Sequence, residues 1–276
     1  MKWRMLALAC VVAMRPLVAQ QDVCLPSADS HEAKTFAALS IPIAFSASKA
    51  PARAHGMSFG IEVAALPEID SITSLPTTCR PDKKNENTHP IAGILRPRIS
   101  IGIAGFELEA SWIPPVRING VSASLVGIAA GRTFSLHSDW YAGARIHAVF
   151  GSLHGPITCD EKAIADPTSE CFHGTLSDDT WRPGVSGAEV VVGRGAGNFR
   201  PYAGVGYTML RPRFQVNFTN AQGSTDRRQV NVDLNRMALF GGITWDVGRS
   251  SVTAEAYSTP VDAVTARLVV RTQVLR

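Results

Sequence analysis

The chain has 276 residues, 45% of them hydrophobic and 18% charged, with 23 glycines and 17 prolines dispersed along its length. That composition excludes disorder, collagen-like repeats and coiled coils, and the length suffices for one large all-β domain or two ordinary ones. The formal charge is +4, and most of it sits at the N-terminus.

Lys2 and Arg4 precede an apolar run from Met5 to Met14, the n-region and h-region of a secretory signal peptide over residues 1–19. Cleavage after Ala19, in Leu17-Val18-Ala19, removes Lys2, Arg4 and Arg15 and leaves a charge of about +1, too little for phosphate-dominated nucleic-acid binding. Ala7-Leu8-Ala9-Cys10 is a loose lipobox, but the leucine three before the cysteine is missing and apolar residues continue past it. The reading is an exported chain with no nucleic-acid partner.

Four cysteines remain after processing, and an even count in an exported chain favours disulfides. Cys159 and Cys171 share one polar segment, which pairs them and leaves Cys24 with Cys79 by elimination. His154 and His173 flank the first pair, yet in an oxidising compartment a disulfide is preferred to zinc thiolates. No metal and no cofactor are expected.

Beyond residue 20 no apolar stretch reaches the ~20 residues of a membrane-spanning helix. Period-two alternation recurs instead. Phe36 to Phe45 alternates, with Ala37, Leu39, Ile41, Ile43 and Phe45 on one side, so residues 20–55 hold either an extra strand or a segment tucked into a lumen. From Met57 to Ala65, the residues Phe59, Ile61 and Val63 oppose Ser58, Gly60 and Glu62. Arg96, Arg98, Ser100 and Gly102 oppose Pro97, Ile99, Ile101 and Ile103, and Glu107 and Glu109 oppose Leu108 and Trp112. Arg145 and His147 alternate with Ala144, Ile146 and Ala148, and near the end Arg267 and Arg271 alternate with Ala266, Leu268 and Val270. Strands are placed near 57–66, 92–103, 106–114, 119–133, 139–152, 182–194, 199–218, 230–247, 251–258 and 262–274. The phase is poor around Leu125 to Gly127, and 199–218 fits either register unless a bulge lies near Leu210, Pro212 and Arg213. Ten strands are counted, twelve being the upper bound.

The connections alternate in length. Ala104-Gly105, 135–138, 195–198 and 248–250 are tight, whereas 67–91, 153–181 and 219–229 are long and polar, and every long one falls on the same side. Short turns at one end and long loops at the other define an all-β, closed, antiparallel up-and-down transmembrane barrel over 56–276.

The polar face carries charges of both signs mid-strand, at Glu62, Glu107, Glu109, Arg145, Glu189, Arg236, Glu255, Arg267 and Arg271, joined by His147. Lysine is absent after Lys162. Arginine pairs bidentately with carboxylates and suits a confined network better than lysine does, so these residues are read as a lumen charge network. Trp112, Trp140, Trp181 and Trp245 fall near strand ends, where interfacial aromatic girdles lie.

In this pattern, and in the phrase Pro201-Tyr202-Ala203-Gly204-Val205-Gly206-Tyr207, the sequence resembles small bacterial outer-membrane β-barrels of the OmpA-like and OmpX-like group. The resemblance covers roughly residues 55 to 276 and implies an outer-membrane location with lipid as partner. The chain departs from that group in ending on Val274, Leu275 and Arg276 rather than on an aromatic residue.

Nucleophile elbows, Walker loops and zincin helices are absent. His154, Asp160, His173, Asp178 and Asp179 in the 153–181 segment read as residues of a solvated, disulfide-tied loop rather than as a protease site, so no enzymatic activity is expected. Three roles follow. The first is a barrel with a filled lumen and a structural or surface-binding role, taking an extracellular ligand through the 67–91 and 153–181 loops. The others are a narrow pore or transporter for small solutes, and a soluble exported β-sandwich. About ten strands enclose a lumen that side chains fill, well below the ~16 to 18 of open porins.

Overall fold

The computed structural model describes residues 22–52, 55–67, 69, 78–79, 92–195 and 197–275. Residues 1–19 and most of the 67–91 connection lie outside these. Ten strands form the wall: β1 Gly56–Ala65, β2 Gly93–Ile103, β3 Phe106–Ile113, β4 Val121–Ser135, β5 Trp140–Gly155, β6 Val185–Arg194, β7 Phe199–Leu210, β8 Leu234–Val247, β9 Ser250–Thr259 and β10 Ala263–Leu275. Each pairs antiparallel with its sequence neighbour. β10 pairs with β1 from Arg267↔Ala64 to Leu275↔Met57, so the sheet closes on itself. A single closed wall replaces the two stacked layers of a sandwich.

The pleat sorts side chains as the alternation requires. Phe59, Ile61, Val63, Leu95, Ile99 and Ile101 face out and are exposed, while Glu62, Arg96, Arg98, Ser100 and Glu109 face in and are buried. The ill-phased segment settles with Leu125, Gly127 and Ala129 inward and Val126 and Ile128 outward. At one end the hairpin turns are short. Ala104 (φ 51°) and Gly105 (φ 86°) both take the left-handed region, as a two-residue type I′ turn demands.

At the other end β5 to β8 rise beyond their neighbours. Short strands at Asp179–Arg182, Arg213–Gln215 and Gln229–Asn231 continue them. Leu210↔Val185 and Arg213↔Arg182 belong to one register, as do Leu210↔Leu234 and Arg213↔Asn231. The 199–218 strand therefore breaks at Arg211-Pro212 without losing phase, because proline cannot supply a ladder donor there. Val23–Cys24 adds to the far edge of this extension, parallel to Gln229–Asn231.

The alternation at Phe36 to Phe45 does not make a strand. His31–Ser40 is a helix, α1, followed by a 3₁₀ turn at Ile41–Ile43, and the barrel has ten strands rather than twelve. The Ser30 hydroxyl caps α1 by accepting from the Ala33 amide at 3.1 Å. A closed wall also offers no edge on which such a strand could pair. Ala33, Ala37 and Ile41, spaced at helical intervals, are fully buried.

Candidate functional site in the barrel lumen

From Ile41 to Ala50 the chain runs through the barrel interior, from the long-loop end toward the short turns, before joining β1 at Gly56. Its backbone carbonyls are held by inward arginines. Arg267 donates to Ile41 O at 2.8 Å, Arg96 to Ile43 O at 2.8 Å and Arg98 to Ser46 O at 2.6 Å. Arg271 donates to Ala47 O at 2.6 Å and Ser48 O at 2.7 Å, and Arg145 donates to Phe45 O. Glu255 accepts from the hydroxyls of Ser46 at 2.5 Å, Ser48 at 3.0 Å and Tyr202 at 2.8 Å. Lower down, Lys49 pairs with Glu107 and the Ala50 amide donates to Thr244 Oγ1 at 2.9 Å.

Phe45, with none of its surface exposed, lies among three guanidiniums: those of Arg98, Arg145 and Arg96 stand 4.4, 4.9 and 5.1 Å from its ring centroid. Gly127 on β4 makes this possible, since a Cβ there would stand 3.2 Å from the Phe45 ring and 2.5 Å from Ser111 Oγ.

The carboxylates complete the filling. Glu62 takes Arg96 and Arg98 together. Glu109 accepts from Arg98 at 2.7 Å, Arg145 at 3.0 Å and Arg271 at 3.3 Å. Arg145 reaches Glu189 at 3.5 Å, and Arg267 reaches Glu255 at 3.4 Å. His147 Nε2 lies 3.5 Å from Glu189 in the same wall. Buried ions cost several kcal/mol each unless paired and hydrogen-bonded, and the carbonyls of residues 41–50, the plug of this lumen, supply acceptors that the carboxylates alone do not.

Of the residues read from sequence, Glu62, Glu109, Arg145, His147, Glu189, Glu255, Arg267 and Arg271 thus gather in one interior. Glu107 sits below them with Lys49. Arg236 does not join the network: it lies at the long-loop end and pairs with Asp262 at 2.9 Å. The network also takes in Arg96 and Arg98, which alternate with Pro97 and Ile99 on its face and lie beyond the residues the charge pattern singles out. Lys49, Ser46 and Ser48 belong to no strand and carry no periodic signal, whereas Phe45 closes the alternation that begins at Phe36.

Trp112, Trp140 and Trp245 are exposed on the outer wall, where Phe199 stacks on Trp245 at 5.9 Å. Trp181 is not part of that girdle. It is buried with Phe214 and Val230 on the inner face of the strand extension, because the register carried through Pro183-Gly184 turns odd-numbered residues inward.

Above the lumen, α1 packs on this inner face, Phe36 lying 5.8 Å from Phe214. Disulfides join Cys24 to Cys79 and Cys159 to Cys171. Asp179 is fully buried and accepts from the amides of Thr158 at 2.6 Å and Asn217 at 2.8 Å and from the Ser177 hydroxyl at 2.8 Å. Burial pushes its carboxyl above the usual range, against the lowering effect of these donors. At the short-turn end a polar vestibule of about 370 Å³, lined by Lys49, His55, Glu107, Arg200, Asp246 and Arg249 among others, stops at the plug.

The closed ten-stranded wall with unequal ends is the architecture of small outer-membrane barrels. No protein-family model matches the chain, and neither does any curated protein. Among solved structures it is similar to Ail, the attachment invasion locus protein of Yersinia pestis, in complex with the heparin analogue sucrose octasulfate (9% identity, 79% of this chain and 96% of that one, TM-score 0.24). It is also similar to the toluene transporter TodX of P. putida (11% identity, 86% and 70%, TM-score 0.29). At these scores neither likeness bears on function.

Proposed function

We propose that the chain is an integral outer-membrane barrel, exported through the signal peptide at 1–19, with a sealed lumen and a structural or surface-binding role at its long-loop end, and without catalysis. The apolar outer wall requires hydrocarbon around it: a belt holding Ile61, Ile99, Leu108, Ile128, Ile146 and Val190, all exposed, exceeds what a soluble monomer leaves open to water. The observation that carries the sealed-lumen reading is the passage of Ile41 to Ala50 through the interior, with arginines holding its carbonyls.

The test is electrical. Reconstituted in a planar bilayer, the intact protein should give no reproducible openings. Steady nanosiemens steps from the intact protein would overturn the reading in favour of a pore. Unboiled samples in detergent should migrate differently from boiled ones, and recovery in the osmotic-shock supernatant would remove the membrane altogether.

A further inference from the structure

We infer that the barrel displays its own amino-terminal segment: residues 22–40, and any chain ahead of them, lie on the outer side of the membrane, opposite the carboxyl end of the wall. The inference rests on the proposed membrane location with the long loops outward, and adds to it the side on which the amino end is presented.

Parity sets the two ends. An even number of antiparallel strands returns a wall to the side on which it starts, so Gly56 at the foot of β1 and Leu275 at the end of β10 both stand at the short-turn end. The pass of Ile41 to Ala50 down the lumen comes ahead of β1. The passes are then odd in number, and residues 22–40 are left at the long-loop end.

Three attachments hold them there, each to a different part of that end. Val23–Cys24 pairs with Gln229–Asn231, where the Gln229 amide donates to Asp22 O at 3.0 Å. Arg236, at the upper end of β8, donates to Ala28 O at 3.4 Å. Glu32 on α1 accepts from the amides of Thr78 and Cys79 at 2.8 and 2.9 Å, beside the bond between Cys24 and Cys79. At the opposite end Lys49 pairs with Glu107, and Gln273 Nε2 donates to His55 O at 3.2 Å. The direction of the pass is therefore fixed at both of its ends.

The crossing needs no free end pushed through a finished ring. Cys24 and Cys79 lie at the same end, so the covalent loop that their bond closes has one arm descending the lumen and one arm, β1, ascending the wall. Such a loop enters as a hairpin whose bend, between Ala50 and Gly56, stays on the short-turn side. The amino-terminal segment is carried outward with β1 and the 67–91 connection.

Native lysines report the side without any change to the chain. Lys34 on α1 and Lys162 in the 153–181 segment are exposed at the long-loop end, whereas Lys49 lines the vestibule at the other. Intact Gram-negative cells producing the full chain are treated with a membrane-impermeant sulfonated succinimidyl ester, and modified lysines are identified by mass spectrometry. Lys34 and Lys162 should be modified to the same extent before and after permeabilisation of the outer membrane, and Lys49 only after it. In parallel, an epitope inserted between Gln21 and Asp22 should bind antibody on intact cells, and one placed after Arg276 only on permeabilised cells. Heat modifiability checks that each tagged chain forms its barrel.

Modification of Lys162 in intact cells, with Lys34 reached only after permeabilisation, would overturn this inference alone. Lys162 protected while the epitope after Arg276 is reached would mean that the barrel lies the other way round, and would overturn the inference together with the orientation beneath it. Absence of the chain from the outer-membrane fraction would remove the membrane reading itself.

Discussion

The guanidinium of Arg98 stands 4.4 Å from the Phe45 ring centroid while its Nε donates to Glu109 at 2.7 Å. One side chain of the wall thereby ties an apolar group of the plug to an anion of the wall, and the two occupants of the lumen depend on each other.

Phe45→Ala removes the ring from the centre of three guanidiniums. It should cost about 3 kcal/mol, from the cavity and the lost cation–π contacts together. The check is urea unfolding of the protein in lipid vesicles; a loss below ~1 kcal/mol would mean that the ring does not pack as described.

Glu109→Ala leaves Arg98, Arg145 and Arg271 without their shared carboxylate. Breaking a buried ion pair from one side costs about 3–5 kcal/mol. Glu107→Ala, nearer the vestibule and paired with Lys49, should cost markedly less. Comparing the two midpoints separates the buried network from its edge, and equal losses would contradict this ordering.

The bond between Cys24 and Cys79 closes a loop with a sequence separation of 55. Chain-entropy reasoning assigns about 4 kcal/mol to such a closure. In Cys24→Ser/Cys79→Ser, amide exchange at Phe45 and Ser46 should accelerate while exchange in β7 and β8 stays unchanged. Uniform acceleration in all of them would mean that the plug and the wall open as one unit.

Asp179 supplies the pH dependence. Its folded pKa is raised above the unfolded value by burial, so its contribution is fully present below an unfolded pKa of about 3.9 and is lost as pH rises through the folded value. Protection of the Thr158 and Asn217 amides, corrected for intrinsic exchange, should fall over that interval. Asp179→Asn should flatten the dependence, and a wild-type profile that is itself flat would refute it.

Much of the wall was legible because membrane and lumen impose opposite chemistries on alternate residues, and Glu62, Arg145 and Arg267 stand where the alternation puts them. The plug was not. Ala33, Ala37 and Ile41 carry helical spacing, while Ala37 to Phe45 carries strand spacing over an overlapping stretch, and only the enclosure decides between them. Trp181 misled for another reason: its orientation depends on phase surviving Pro183-Gly184, a kink at which sequence patterns ordinarily reset.

Arg267 and Arg271 lie on β10, the strand that meets β1 to complete the cylinder. That seam joins residues as remote as Gly60 and Arg271, the slowest kind of contact to form. The same two arginines reach Ile41, Ala47 and Ser48, so the seam and the interior segment draw on the same side chains, and a cylinder zipped without the segment would leave both guanidiniums short of acceptors.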